Sequence, residues 1–177
     1  MLETERLILR PFEEGDLDII YRVYSDEEIL RYSPFDPVDE QGAQALLDRF
    51  LRGWKEDPVT EREMAVIEKE SGEKIGRCHI QLGPEESAMI GWFLVREAWG
   101  KGYATEMTEA LLDCCFGKLK LHRVRAICNP GNPASFHVME KCGMRREGHY
   151  RKKCRYVKSG IVSWEDEFEY AILAEER

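Results

Sequence analysis

A mixed α/β fold is predicted for these 177 residues, and three observations carry it. Strand-length apolar runs interleave with segments whose apolar residues recur at three- and four-residue spacing. Ser71-Gly72-Glu73 and Lys158-Ser159-Gly160 each join two strand-like runs through a tight polar turn, so part of the sheet is antiparallel. Between residues 90 and 106 a hydrophobic strand runs into a glycine-rich turn and then into a helical pattern. The length suits one domain, residues 1–177, with a well-filled core.

Taken in order, Leu2 to Phe12 reads as the first strand, with Leu7 and Leu9 on one face and Pro11 ending it. Asp16 caps a helix that carries Leu17, Ile20, Val23 and Tyr24 on one side. Two prolines in Tyr32-Ser33-Pro34-Phe35-Asp36-Pro37 break the helical pattern, and a second helix spans Val38 to Trp54. Met64–Glu68 and Lys74–Leu82 are adjacent strands, and Pro84-Glu85-Glu86 makes the next turn. Ser87 to Val95 is the strand that enters the glycine turn. The helix after it buries Ala104, Met107, Thr108, Leu111, Leu112, Cys115 and Phe116. His122–Cys128 is β-rich, a further helix opens at Asn129–Pro133 and runs to Lys141, and Gly143 stops it. Two strands then reach Leu173.

Composition excludes several functions. A hydrophobic fraction of 43% and a charged fraction of 34% are those of an ordinary globular protein, and no apolar run is long enough to span a membrane. The net charge of −8 argues against general nucleic-acid binding, since no basic field offsets the phosphates. It suits a cationic acceptor and equally suits ordinary solubility. Met1-Leu2-Glu3-Thr4-Glu5-Arg6 lacks the basic-then-apolar order of a signal peptide, so a cytoplasmic location is expected. Six cysteines form no C-x-x-C pair and four histidines are scattered, so no metal site is expected and most of the cysteines read as reduced core residues.

The glycine turn holds the most specific chemistry. A strand, a turn and a helix in that order place unpaired N–H groups at the positive end of a helix dipole, where a phosphate or pyrophosphate binds. Gly100 and Gly102 permit the turn and let a ligand approach the backbone. A dinucleotide fingerprint is excluded because Thr105 stands at its third glycine, and a P-loop is absent. Trp99-Gly100-Lys101-Gly102-Tyr103-Ala104 resembles the acetyl-CoA pyrophosphate loop of the GNAT superfamily of N-acetyltransferases, [Gln/Arg]-x-x-Gly-x-[Gly/Ala]. Gly102 and Ala104 fit its last two defined positions. Trp99 replaces the usual Gln or Arg, as in the ribosomal-protein alanine N-acetyltransferase (RimJ/RimL-type) branch. Thr4–Pro11 resembles the opening of that branch and Asn132-Pro133-Ala134-Ser135 its Asn-x-x-Ser, so the likeness spans nearly the whole chain.

The resemblance implies a single-domain GNAT fold: a mixed, mostly antiparallel sheet with flanking helices, whose central parallel strands, Ser87–Val95 and His122–Cys128, splay apart to admit acetyl-CoA. A backbone N–H near Phe93 or Leu94 would stabilise the thioester oxygen, while Leu94 and Val95 pair with the pantetheine amides like an added strand. Gly100, Lys101, Gly102, Tyr103, Ala104 and Thr105 would hold the pyrophosphate, with Asn132 and Ser135 completing the site. The first two helices and their loop would wall the acceptor pocket through Tyr32, Phe35 and Asp36; the alternative is a turn with two packed aromatics.

Acetyl transfer to an amine requires that the amine lose a proton, that the thioester oxygen be stabilised, and that the leaving thiolate be protonated. Many GNAT enzymes protonate it with a Tyr, but Met139 occupies that place here. The Glu found early in the preceding strand of many members falls on Met89, and the Glu of some ribosomal-protein enzymes falls on Cys154. In the branch that this chain resembles, Ser135 lies near the sulfur; read from the residues alone, Asn132 is a helix N-cap and Ser135 its first-turn neighbour. Strict alternation in the last strand puts Asp166 on one face with Val162, Trp164, Phe168, Tyr170 and Ile172, and Glu165, Glu167 and Glu169 on the other. A carboxylate on an apolar face has either a partner or a raised pKa, so Asp166 is the candidate base or acceptor contact, or else an anchor for the strand. The function read from the sequence is direct, acetyl-CoA-dependent acetylation of a primary amine, on a protein N-terminus or a small molecule. The competing reading is a non-catalytic acetyl-CoA-binding sensor or scaffold. No nucleic-acid, membrane or metal partner is expected, and a homodimer is admitted.

Overall fold

The computed structural model describes residues 1–177. Its strands are β1 (Leu2–Glu3), β2 (Leu7–Pro11), β3 (Glu61–Glu68), β4 (Lys74–Gly83), β5 (Ser87–Leu94), β6 (Arg123–Cys128), β7 (Arg145–Lys158) and β8 (Ile161–Leu173). They form one sheet in the order β1-β2-β3-β4-β5-β6-β8-β7. All neighbours are antiparallel except β5 and β6. A tight turn can join only antiparallel neighbours, whereas β5 and β6 are joined by a helical crossover. The helices are α1 (Leu17–Tyr24), α2 (Glu40–Gly53), α3 (Tyr103–Asp113) and α4 (Pro133–Lys141). α1 packs on α2 and β4, α2 on β3, α3 on α4, β2 and β5, and α4 on β6, so two helix pairs cover the sheet. No helix is long and apolar enough to cross a membrane.

Local hydrogen bonds move several expected boundaries. Thr4 Oγ1 accepts from Leu7 N–H at 2.9 Å and turns the chain, so the first strand is broken and Leu2 pairs with Leu9. Asp39 caps α2 by accepting from Gly42 N–H at 2.8 Å, which starts that helix at Glu40. Asp16 makes no cap for α1; its carboxylate accepts from Arg10 at 2.6 and 3.0 Å and from Glu13 N–H at 2.8 Å. The apolar pattern after the glycine turn continues past α3 only as a π-turn, Cys114–Lys118.

The last strand departs most from its pattern. β6 pairs with β8 only between Cys128↔Phe168 and Arg123↔Leu173, so Ile161–Glu167 has β7 alone beside it. Trp164, expected on a buried face, is therefore 51% exposed, and Glu167, expected outside, is 6% exposed. Alternation marks two faces, but which face is covered depends on neighbours that the strand itself does not encode.

One apolar core joins 35 buried residues, among them Leu7, Leu9, Ile20, Val23, Leu111 and Leu112. A charged pair is embedded in it. Arg77 Nη1 lies 2.5 Å from Glu63 Oε2, with side chains 6% and 3% exposed. The guanidinium sits over the rings of Tyr24, Phe50 and Phe93, at 5.7, 5.9 and 5.2 Å from their centroids. Burial opposes both charges: it pushes the Glu63 carboxyl up, while Glu63 and Tyr24 keep Arg77 cationic against it. Removing one partner leaves the other charge buried and uncompensated. Glu63→Gln is expected to lower the unfolding free energy by about 3 kcal/mol in urea titration; a loss below about 1 kcal/mol would show that the pair is not a brace.

Candidate active site

β5 and β6 pair at only three positions, Ser87↔Arg123, Ala88↔Val124 and Met89↔Arg125, and then separate. Val95 N–H donates to Ile75 C=O at 2.9 Å. Alternation along the β4–β5 ladder therefore turns the backbone of Gly91, Phe93 and Val95 towards β4, and that of Trp92 and Leu94 towards the gap. Trp99 Nε1 donates to Leu94 C=O at 2.8 Å. The gap-facing groups left open belong to Trp92 and to Leu94 N–H. This corrects the expectation for Phe93 and Val95, whose backbone groups are already committed to β4.

The gap opens into a cavity of about 1080 Å³ that passes through the sheet. Of the expected acetyl-CoA residues, Phe93, Leu94, Gly100, Gly102, Tyr103, Ala104, Thr105, Asn132 and Ser135 line it, whereas Val95 and Lys101 do not. Gly102 caps α3 with φ +83 and no side-chain cap bond, so the first-turn N–H groups of α3 face the cavity without helical partners. An uncapped helix start behind a left-handed glycine fits a pyrophosphate.

Arg6 holds this loop from outside. Its Nη1 donates to Lys101 C=O at 3.0 Å, its Nε and backbone N–H donate to Glu106 at 2.6 and 2.8 Å, and its guanidinium stacks 4.6 Å from the Tyr103 ring. Thr4 Oγ1 reaches the same carboxylate at 2.5 Å, and Tyr103 OH bonds Glu68. Lys101 thus serves the loop through its carbonyl and not the cavity. Nothing in the local pattern around Arg6 signals this role, because its partners lie about a hundred positions away.

Tyr32 and Phe35 line the far end of the cavity, with ring contacts running from Phe35 to Tyr24 at 6.0 Å and on to Phe93 at 5.9 Å. Asp36 does not line it: both carboxylate oxygens accept from Ser159 N–H, at 3.0 and 3.2 Å. That bond belongs to a clasp between the α1–α2 loop and the tip of the β7–β8 hairpin. Tyr156 OH donates to Tyr32 C=O at 3.0 Å, and Lys158 Nζ donates to the carbonyls of Leu30 and Arg31 at 2.7 and 3.2 Å. Tyr156 also lines the cavity, and burial pushes its phenol up to about 12.

Asn132 Oδ1 accepts from Ser135 N–H at 3.2 Å, the N-cap geometry of α4. Ser135 stands beside Cys128, whose thiol burial pushes up to about 12 while Ser135 acts in the other direction. Met139 is buried in the core and offers nothing to the cavity. Asp166 reaches the cavity and has hydrogen-bond partners there. It accepts from Lys152 N–H at 2.9 Å, and His149 Nε2 lies 2.8 Å away; these two bonds hold its carboxyl below the usual range. Of the two expected outcomes, a partner or a raised pKa, the structure shows the partner: Asp166 is tied to an irregular stretch of β7 between Tyr150 and Cys154. Its neighbour Glu167, missed by the alternation, also lines the cavity. Lys153 Nζ donates to it at 2.6 Å and Cys154 Sγ at 3.0 Å. No three His, Cys, Asp or Glu side chains are grouped to hold a metal.

A family model described as an acetyltransferase (GNAT) domain matches residues 6–145. The uncharacterized N-acetyltransferase YnaD of Bacillus subtilis is 36% identical over 176 residues, covering 99% of this chain and 98% of its own. A spermidine N(1)-acetyltransferase of Vibrio cholerae is 27% identical over 152 residues, 82% of this chain and 83% of its own. Among solved structures, an acetyltransferase of the GNAT family from Bacillus anthracis superposes with a TM-score of 0.84 at 34% identity, with 99% of each chain covered.

The loop geometry sets one expectation. At Gly102 the φ of +83 already disfavours a side chain, and a Cβ would stand 3.4 Å from Arg6 Nη2. A β-branched residue there would also fill the approach to the α3 amides. Gly102→Val is expected to abolish acetyl-CoA binding by calorimetry; a folded variant that binds with unchanged affinity overturns the assignment.

Proposed function

The chain belongs to the GNAT acetyltransferase family and is an N-acetyltransferase, and we propose that its sheet gap passes acetyl directly from acetyl-CoA to a primary amine held beneath Tyr32 and Phe35. The observation that carries this reading is the early end of β5–β6 pairing, which leaves backbone hydrogen-bonding groups facing a cavity that also meets the open start of α3. The Gly100–Thr105 amides take the pyrophosphate. Trp92 and Leu94 pair with the pantetheine arm as a further strand would, and Leu94 N–H meets the thioester oxygen as it gains charge.

In the transfer the amine nitrogen bonds the carbonyl carbon, the carbon–sulfur bond breaks, and the thiolate takes a proton. Ser135 is assigned to that proton, with Asn132 fixing the turn from which its hydroxyl projects. Asp166 and Glu167 are assigned to the amine. Asp166 stays ionised and attracts an ammonium; its low pKa makes it a weak base, so the amine proton leaves through water along the two carboxylates. Direct transfer is favoured over an acyl-cysteine because burial pushes the cavity thiols Cys128 and Cys154 up to about 12 and about 11, which removes the thiolate at neutral pH.

The likeness to the ribosomal-protein alanine branch supports a protein N-terminus as acceptor, and the spermidine-acetylating relative supports a polyamine. Both present a primary amine. Incubation with acetyl-CoA and an amine panel is expected to release thiol with at least one acceptor, and tight acetyl-CoA binding without turnover of any amine would overturn the reading. Asp166→Asn is expected to preserve acetyl-CoA affinity while lowering kcat/KM for the amine by ~10-fold, the loss of one partly solvated charge interaction. A folded variant with unchanged kcat/KM removes Asp166 from the acceptor site.

A further inference from the structure

His79 carries a hydrogen-bond donor into the acceptor end of the cavity that no protein group uses. Its ring lies across Gly91, its direct partner in the β4–β5 register. A Cβ on Gly91 would stand 2.5 Å from His79 Cε1 and 3.2 Å from Nε2, so the absent side chain is what lets the imidazole lie there. Both residues line the cavity with Arg77, Met89 and Phe93. His79 Nδ1 lies 3.0 Å from Arg77 Nη1. A guanidinium only donates, so Nδ1 is the acceptor and, in the neutral ring, Nε2 carries the hydrogen. Burial, together with Arg77, brings the imidazole pKa down to about 3, so the ring is neutral at working pH. Arg77 Nε is buried without a partner, so His79 Nε2 is the donor on this wall that a ligand can reach.

This wall is the opposite of the one across the cavity. β4 offers N–H donors and a fixed guanidinium, whereas β8 offers the carboxylates Asp166 and Glu167. An acceptor made only of ammonium groups satisfies the carboxylates and leaves the β4 donors facing positive charge. An acceptor with an oxygen close to its amine satisfies both walls. We propose that His79 Nε2–H, set by Arg77, selects primary amines that carry a hydrogen-bond-accepting oxygen within a few bonds of the reacting nitrogen, such as α-amino amides, and disfavours polyamines. The proposal rests on the transferase reading above and names its acceptor class. His79 is a specificity residue and not the base, because its cavity-facing nitrogen already holds a proton.

The test compares alaninamide, sec-butylamine and spermidine in two assays: kcat/KM with acetyl-CoA, and calorimetric affinity for the CoA-saturated protein, which needs no turnover. Wild type is expected to prefer alaninamide to sec-butylamine by about 10- to 100-fold. With kcat/KM expressed per unprotonated amine, because alaninamide is the weaker base, His79→Phe should bring that ratio close to one, mainly through KM, with acetyl-CoA affinity retained. His79→Gln, whose amide N–H can stand near the position of Nε2, should keep most of the preference. Equal use of the two amines by wild type, a preference for spermidine, or an unchanged ratio in His79→Phe overturns the proposal. A preference in binding without turnover supports the selection rule and overturns the transferase reading instead. If His79→Phe fails to fold, nitrogen NMR of the wild-type imidazole decides. An Nε2–H tautomer whose signal moves with alaninamide and not with sec-butylamine supports the proposal, and an Nδ1–H tautomer or a signal indifferent to both overturns it.

Discussion

The rest of the site depends on one interruption: β5 and β6 share three residue pairs and no more. A sheet normally closes such an edge, because an unpaired buried N–H or C=O costs about 1–3 kcal/mol. Here Trp99 satisfies one exposed carbonyl, that of Leu94, and the remaining edge faces the cavity. The same interruption lets the unpartnered start of α3 and the unpartnered strand edge open onto one cavity. Arg6 and Glu106 keep that loop in place from the solvent side, which leaves its inner edge free.

On the β4 side the buried ion pair of the core also reaches the cavity wall. Arg77 stabilises the core only in company with Glu63, and the same guanidinium dictates which nitrogen of His79 bears the hydrogen. A buried ion pair is poor evidence for stability compared with apolar packing of the same volume. Its presence makes physical sense where a permanent donor array has to be held at a cavity wall. Across the cavity, Asp166 and Glu167 are each held by partners on β7, so their charge is placed as firmly as that of Arg77.

What was legible in the sequence followed the kind of information each pattern carries. The glycine turn between strand and helix was readable because its signal is local, and Leu7 and Leu9 were placed correctly because β2 lies between two strands with its inner face covered. Alternation in β8 failed where β6 stops beside it, which exposed Trp164 and buried Glu167. Side-chain patterns also say nothing about which way a backbone faces, so Phe93 and Val95 were named where Trp92 and Leu94 meet the gap. Asp36 and Arg6 take their meaning from partners far away in the chain, and no window of residues reports those, whereas His79 takes its from Arg77 two places back and from the register that sets it opposite Gly91.

The clasp between the α1–α2 loop and the β7–β8 hairpin implies an order of assembly. Its hydrogen bonds join Tyr32, Leu30, Arg31 and Asp36 to residues 123 to 128 positions further on. Contacts between segments so far apart in sequence form after the local pairing of the β7–β8 hairpin that presents them. During synthesis the α1–α2 loop also emerges well before the hairpin that secures it. Pulse-labelled amide exchange should accordingly find Ser159 N–H among the last to gain protection, and early protection there would refute this order. The loop that carries Tyr32 and Phe35 is thus secured by the last strands made, whereas the turn at Gly100–Thr105 already has its partner Arg6 available when it emerges.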